Sequence, residues 1–320
     1  MDLRIESLLG RAHDARRRAV AIGNFDGVHL GHARLLTTCV ETARKADLVP
    51  TVLTFDPHPG SVVSGQGAPA RIQTITSRRR ALMDLGIEDL GQLSFDQGIA
   101  RLSPTEFVER ALIGGCQAGS VVVGEGFRFG AARIGNVQTL RTLGESRFET
   151  IEVEALKDPR GTISSSRIRE ALGRGDLSES ERCLGRPYEI EGKVVHGDHR
   201  GRTIGYPTAN IDLEGVSALA RGIYVADGIV VGPKGRDVSA GTRPMRAAVS
   251  LGVRPTFKDA ADLRLEAHFP GFDGDLYGCF VRLVFLARLR DEASFDSVGD
   301  LKLQIEDDVH RAMVFRDSNA

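Results

Sequence analysis

Closely spaced cysteines are missing from this chain: Cys39, Cys116, Cys183 and Cys279 stand far apart in 320 residues. That spacing excludes a paired-cysteine zinc or redox site and a dense disulfide framework, and it predicts buried or idle thiols. Charge of one sign is equally scarce, with 42 basic against 43 acidic residues and a formal net charge of -1. No general field is then available to hold nucleic acid or an anionic membrane, so small molecules are the expected partners, with assembly into a homo-oligomer left open. Long apolar runs are missing too, and none approaches the roughly 20 residues that cross a bilayer. The triplet Arg16-Arg17-Arg18 opens like an export signal, but the apolar stretch behind it is cut at once by Gly23, Asn24 and Asp26, which predicts a cytoplasmic protein. Internal repeats and low-complexity segments are also lacking.

What is present is length enough for two cores, so two domains are expected, at residues 1–185 and 186–320. In the first, β-branched runs at Ala19–Ile22, Pro50–Phe55, Ser120–Val123 and Ile151–Val153 alternate with helical patterns, which predicts an α/β domain on a Rossmann-like parallel sheet. Ser103-Pro104-Thr105-Glu106 combines an N-cap serine, a proline at the first helical position and a glutamate three residues on, which predicts a helix start. The polar stretch Gly173–Leu184 reads as part of the linker. Beyond Gly185-Arg186-Pro187 the pattern changes to strands at Glu189–Val195, Gly222–Val231, Met245–Ser250, Leu263–Phe269 and Cys279–Leu286. These predict a small antiparallel β-barrel. One helix closes the chain, since Val298, Leu301, Ile305, Val309 and Ala312 recur at helical spacing.

The most informative run is Gly23-Asn24-Phe25-Asp26-Gly27-Val28-His29-Leu30-Gly31-His32, directly after a strand. The carboxyl end of a strand in such a sheet opens into a crevice, and the first turn of the next helix points unpaired N–H groups into it. A polyphosphate suits that place, with His29 and His32 facing it as donors. A surface pair or a metal pair is the plainer reading of His-x-x-His taken alone. Serines and arginines recur at Ile163-Ser164-Ser165-Ser166-Arg167-Ile168-Arg169, where hydroxyls at a helix start and guanidinium groups suit the outer phosphates of ATP. An ordinary serine cap with solvated arginines is the alternative there.

Together these two runs resemble the His-x-Gly-His and Ser-Ser-Thr-x-x-Arg motifs of the bacterial bifunctional riboflavin kinase/FMN adenylyltransferase (FAD synthetase) family, with Ser166 in place of threonine. The resemblance spans nearly the whole chain. It implies a nucleotidyltransferase site in which His29 and His32 act on the α-phosphorus. Gly23, Asn24, Asp26, Ser164, Ser165 and Arg169 would bind nucleotide there. Thr54-Phe55-Asp56-Pro57-His58-Pro59 is similar to the family segment after the second strand, which implies that Phe55 and Pro57 bound the flavin and nucleotide crevice. Phe127 and Arg128 fall in Gly124-Glu125-Gly126-Phe127-Arg128-Phe129-Gly130, where the family has aspartate at the place of Gly126. Glu125 sits one position early, so on an extended segment it faces the other way. Asn136 likewise replaces a frequent aspartate. These departures keep two rivals in view: a kinase with a silent first domain, and a flavin-binding regulator without turnover.

In the second half, Gly201-Arg202-Thr203-Ile204-Gly205-Tyr206-Pro207-Thr208-Ala209-Asn210 resembles the family's riboflavin kinase motif Gly-Arg-x-x-Gly-x-Pro-Thr-Ala-Asn. Thr208 and Asn210 alternate along an extended segment and so share a face, offering oxygens to a hard cation; a polar strand end is the alternative. The resemblance implies Mg2+ at Thr208 and Asn210, ATP as co-substrate, and binding roles for Gly201, Arg202 and Pro207. The segments Ser250–Phe257, Leu265-Glu266-Ala267-His268 and Asp275-Leu276-Tyr277-Gly278 resemble further family blocks. Glu266 is implied to be the general base for riboflavin's 5′-hydroxyl, and His268, its same-face neighbour, reads as structural. Arg290 and the helix beginning near Ser297 are implied to close over the isoalloxazine ring. The expected products are FMN and, from FMN, FAD.

Overall fold

The computed structural model describes residues 5–7, 16–63, 67–197, 200–231, 244–254 and 262–316. The chain folds as two compact units, one from the residues up to Pro69 together with Arg79–Ser164, the other from Ala70–Arg78 together with the residues from Ser165 onward.

The first unit is built on a sheet of β1 (Ile5–Ser7), β2 (Arg18–Ile22), β3 (Val49–Asp56), β4 (Asp89–Ser94), β5 (Ala118–Gly124) and β6 (Glu149–Val153), in the order β1-β4-β3-β2-β5-β6. All neighbours are parallel except β1 with β4, so an antiparallel edge strand is added to the predicted parallel sheet. In the middle of the sheet β2 is buried throughout and β5 at all but Gly119 and Gly124, which is why both read as largely apolar runs without alternation. Asp89–Ser94 carries two leucines among polar residues and gives no such run; its burial comes from being clasped between β1 and β3. Helix Leu30–Ala46 lays Leu35, Leu36, Cys39 and Ala43 on the sheet and ends at Asp47 in the left-handed region. The predicted start at Ser103 forms a reciprocal capping box with Glu106, and the helix continues through a π-helical stretch, Val108–Gly115.

Past β6, a hairpin of β7 (Lys157–Asp158) and β8 (Gly161–Thr162) leads to helix Ser165–Gly173. The stretch expected to be linker is instead partly a second helix, Leu177–Leu184, capped by the Asp176 side chain and ended by Gly185 at φ 74°. Polar side chains mask it in the sequence, but Leu177, Ser180, Cys183 and Leu184 form a narrow buried stripe. Both helices belong to the second unit. Its barrel comprises β9 (Glu189–Val195), β10 (Ala209–Ile211), β11 (Gly222–Val231), β12 (Met245–Arg254), β13 (Asp262–His268) and β14 (Phe280–Arg290). These close in the order β10-β13-β12-β11-β14-β9, every pair antiparallel. Ile190, Val249, Leu251, Leu265, Ala267 and Leu283 fill it. By the period of 2, Glu266 and His268 therefore stand on the outer wall. Helix Val298–Val314 starts where expected, is capped by the Ser297 side chain, and packs on that wall. Arg246 holds it by donating to the carbonyls of Ala312 and Phe315 at 3.4 and 3.1 Å.

Candidate functional site

In the first unit, the turn between β2 and helix Leu30–Ala46 is wound through left-handed backbone at Phe25 (φ 49°), Gly27 (φ 93°) and Val28 (φ 39°). A β-branched residue there is strained, and strain of this kind gathers at functional loops. Phe25 is buried and turns its ring edge to His32, 5.2 Å between centroids. His29 is the N-cap: its Nδ1 accepts the His32 backbone N–H at 3.2 Å. The neutral ring then carries its proton on Nε2, so one nitrogen serves the fold and the other is the donor. The two imidazoles stack at 3.6 Å and form a layered pair at a helix N-terminus. Gly31 lets this happen, since a Cβ there would stand 3.1 Å from the His29 ring.

Asn24 reaches His58 Nε2 at 2.8 Å, while His58 Nδ1 accepts the Gly60 N–H at 3.0 Å. His58 thus ties the β2 turn to the segment after β3, a role its place in Thr54–Pro59 did not announce. Phe55 meets Phe95 edge-on, and Phe127 stacks on Phe129. Asp26 is buried. Ser164 and Ser165 fall at the junction between units, with helix Ser165–Gly173 starting at the second. In the second unit, Arg167 is bonded to the buried Glu179 at 2.6 Å, so that guanidinium is a hairpin strut, and Arg169 donates to the Ala70 carbonyl at 2.7 Å.

On the barrel, the ladder sets Asn210 directly opposite Glu266 and Glu266 opposite Ser250, one row across β10, β13 and β12. Directly opposed residues share a face within about 5.5 Å. Gly197 leaves room for the Asn210 amide, whose nitrogen would lie 2.2 Å from a Cβ there; Gly201 leaves room for the Tyr206 carbonyl, 2.3 Å from a Cβ. Two cavities meet at Thr208. One, about 340 Å³, is lined by Glu266, Ser250, Arg290 and, from the terminal helix, Leu301 and Ile305; the other, about 620 Å³, by Arg202, Pro207, Asp275 and Tyr277. Arg290 forms a two-pronged pair with the buried Asp308, at 2.9 and 2.6 Å, which fixes the terminal helix as a wall. Its charge is neutralised there, so shape is what it brings to the cavity. His268 Nδ1 lies 2.7 Å from the Pro207 carbonyl. Pro255, Thr256 and Phe257 of the block read in the sequence lie outside the described residues.

No group of three or more histidine, cysteine or acidic residues among the described residues can hold a metal. A threonine and an asparagine beside a carboxylate fit a cation that keeps its waters and phosphate ligands better than one needing a full protein cage.

A sequence model of the FAD synthetase family matches residues 11–167, and one of riboflavin kinase matches residues 184–315. The bifunctional riboflavin kinase/FMN adenylyltransferase of Escherichia coli K12 is 34% identical over 297 residues, covering 92% of each chain. The enzyme of that name from Haemophilus influenzae is 35% identical over 97% of this chain and 99% of its own. The chain belongs to the bifunctional riboflavin kinase/FMN adenylyltransferase family. A solved structure described as a macrolide-efflux protein from Streptococcus pneumoniae shares its fold, with a TM-score of 0.77 and 32% identity over 96% of this chain and 97% of that one. Here, no helix among the described residues is long and apolar enough to cross a membrane.

For a riboflavin kinase/FMN adenylyltransferase family member, two departures now have physical accounts. Gly126 is third in the tight turn closed by Phe127 N–H on the Gly124 carbonyl, with φ 74° and nothing within 4 Å of a Cβ. Glycine relaxes a left-handed position that aspartate also tolerates. Glu125 is committed elsewhere, accepting the Ala155 N–H at 3.0 Å. Asn136 caps helix Val137–Gly144 by accepting the Thr139 N–H at 2.9 Å, a task that either an aspartate or an asparagine performs.

Proposed function

We propose that the chain phosphorylates riboflavin to FMN in its barrel domain, residues 186–320, and adenylylates FMN to FAD in its N-terminal domain, residues 1–185. Each step uses ATP, the first releasing ADP and the second pyrophosphate. The observation that carries the kinase assignment is the row Asn210–Glu266 beside a Thr208 shared by two cavities. A flavin in the smaller cavity puts its 5′-hydroxyl near Glu266, and a nucleotide in the larger one approaches Thr208 from the other side. Glu266 then accepts the hydroxyl proton as that oxygen attacks the γ-phosphorus. Thr208 and Asn210 are the residues to hold Mg2+, which would offset the charge on the phosphates. The apolar faces of Leu301 and Ile305 keep water from the transferring group.

For the second step, the FMN phosphate oxygen attacks the α-phosphorus of ATP. His29 Nε2–H and the stacked His32, at the positive end of helix Leu30–Ala46, oppose the charge that grows there. Asn24, Phe55, Pro57, Phe127 and Arg128 would bound the flavin and nucleotide crevice, with Ser164 toward the outer phosphates. Because both steps draw on ATP, the cytoplasm is the compartment that suits them.

The division of labour is tested by Glu266→Gln. It is expected to lower riboflavin phosphorylation by roughly 100-fold or more while FAD still forms from supplied FMN. Equal loss of both rates would defeat the assignment.

A further inference from the structure

We propose that His268 is a positioning residue of the kinase site: its imidazole holds the Pro207 carbonyl and thereby sets Thr208 and Asn210 against Glu266. The inference rests on the kinase reading of that site. The contact is 2.7 Å, from Nδ1 to an oxygen that can only accept, so Nδ1 carries the proton in either charge state of the ring. The ring is steadied by Tyr206, edge to face at 5.5 Å and 77°.

The need for such a hold follows from the backbone. β10 is only Ala209–Ile211, and its ladder with β13 begins at Ala209 opposite Ala267. Thr208 is thus one residue outside the ladder. Pro207, before it, has no N–H to donate. Upstream, the Tyr206 N–H turns away to the Gly201 carbonyl at 2.8 Å. The His268 bond extends the grip of β13 past Ala209 and fixes the peptide that carries Thr208. Continuing the register one step puts Thr208 opposite His268, as Asn210 is opposite Glu266. Two cross-strand pairs then form one outward patch, and His268, Glu266 and Thr208 all line the smaller cavity.

A catalytic base at His268 is the competing role. Its Nδ1 is engaged as a donor, and Glu266 already stands opposite Asn210. The bond works through the segment that touches substrate, as the outer partners of metal ligands commonly do.

The test compares His268→Ala and His268→Asn in the full chain, measuring FMN formation against Mg2+ and riboflavin concentration. The asparagine amide nitrogen falls near the place of Nδ1 and can donate to the same carbonyl. The alanine variant is expected to lower kcat for FMN formation by about 10- to 100-fold and to need more Mg2+ for its half-maximal rate. Its KM for riboflavin should hardly move. The asparagine variant should recover most of the rate, and both should make FAD from supplied FMN at the wild-type rate. Unaltered kcat and Mg2+ dependence in the alanine variant would overturn the inference. So would an asparagine variant that unfolds at the wild-type temperature and is as slow as alanine. A wild-type protein unable to phosphorylate riboflavin would instead defeat the kinase reading, and the inference with it.

Discussion

His29 caps a helix through one ring nitrogen, and the proposed reaction calls on the other, so its substitutions can separate folding from chemistry. Asparagine is a strong N-cap, whereas alanine gives up about 1 kcal/mol. His29→Asn is therefore expected to unfold at about the wild-type temperature and yet form FAD from FMN on the order of 100-fold more slowly. Wild-type FAD formation by that variant would remove His29 from the reaction. At this scale the sequence showed which residue types stand in each motif, but not their partners. Asp308, the residue that neutralises Arg290, is 18 positions away and belongs to no motif. Arg167 looks in sequence like a phosphate ligand as good as Arg169; only the fold reveals that the buried Glu179 occupies it.

Strands β10, β13 and β12 work as one element, because the row Asn210–Glu266–Ser250 exists only where their registers agree. Gly197, just past β9, is the place to disturb that row without touching it. An alanine Cβ there would stand 2.2 Å from the Asn210 amide and push the side chain aside. Since a displacement of about 1 Å can reduce a rate by roughly 100-fold, Gly197→Ala is expected to weaken FMN formation on that order, with thermal unfolding little changed. An unaltered rate would mean that Asn210 is not needed where it stands. Elements legible in the sequence were those with strong periodicity or caps: β2, β3, β5, the Ser103 capping box and the terminal helix. Those that escaped were decided by tertiary contact. β4 is polar and glycine-broken, β10 is three residues long, and Leu177–Leu184 has a stripe too narrow to stand out.

Across the whole molecule, the thiols stand apart from the motifs. Burial pushes Cys39 and Cys116 up to about 12 from an ordinary 9.0, the backbone bonds near Cys39 and the Arg18 charge near Cys116 offsetting only part of the rise. The folded state thus holds both protons more tightly than the unfolded chain. The stability this contributes is fully present below pH 9.0 and is lost as pH rises toward 12. At pH 8.5, a value chosen about half a unit below that ordinary thiol range, iodoacetamide is expected to modify partly exposed Cys279 first and to reach Cys39 and Cys116 only on unfolding. Early labelling of either buried thiol would show that its core opens.

Two domains with two ATP-dependent steps make a claim about time as well as place. Wild-type protein incubated with Mg2+, ATP and riboflavin, with flavins separated by chromatography at intervals, tests it most directly. FMN rising first and FAD following, with FAD also forming from FMN alone, is the predicted result. FMN accumulating from riboflavin while neither substrate yields FAD would contradict the account.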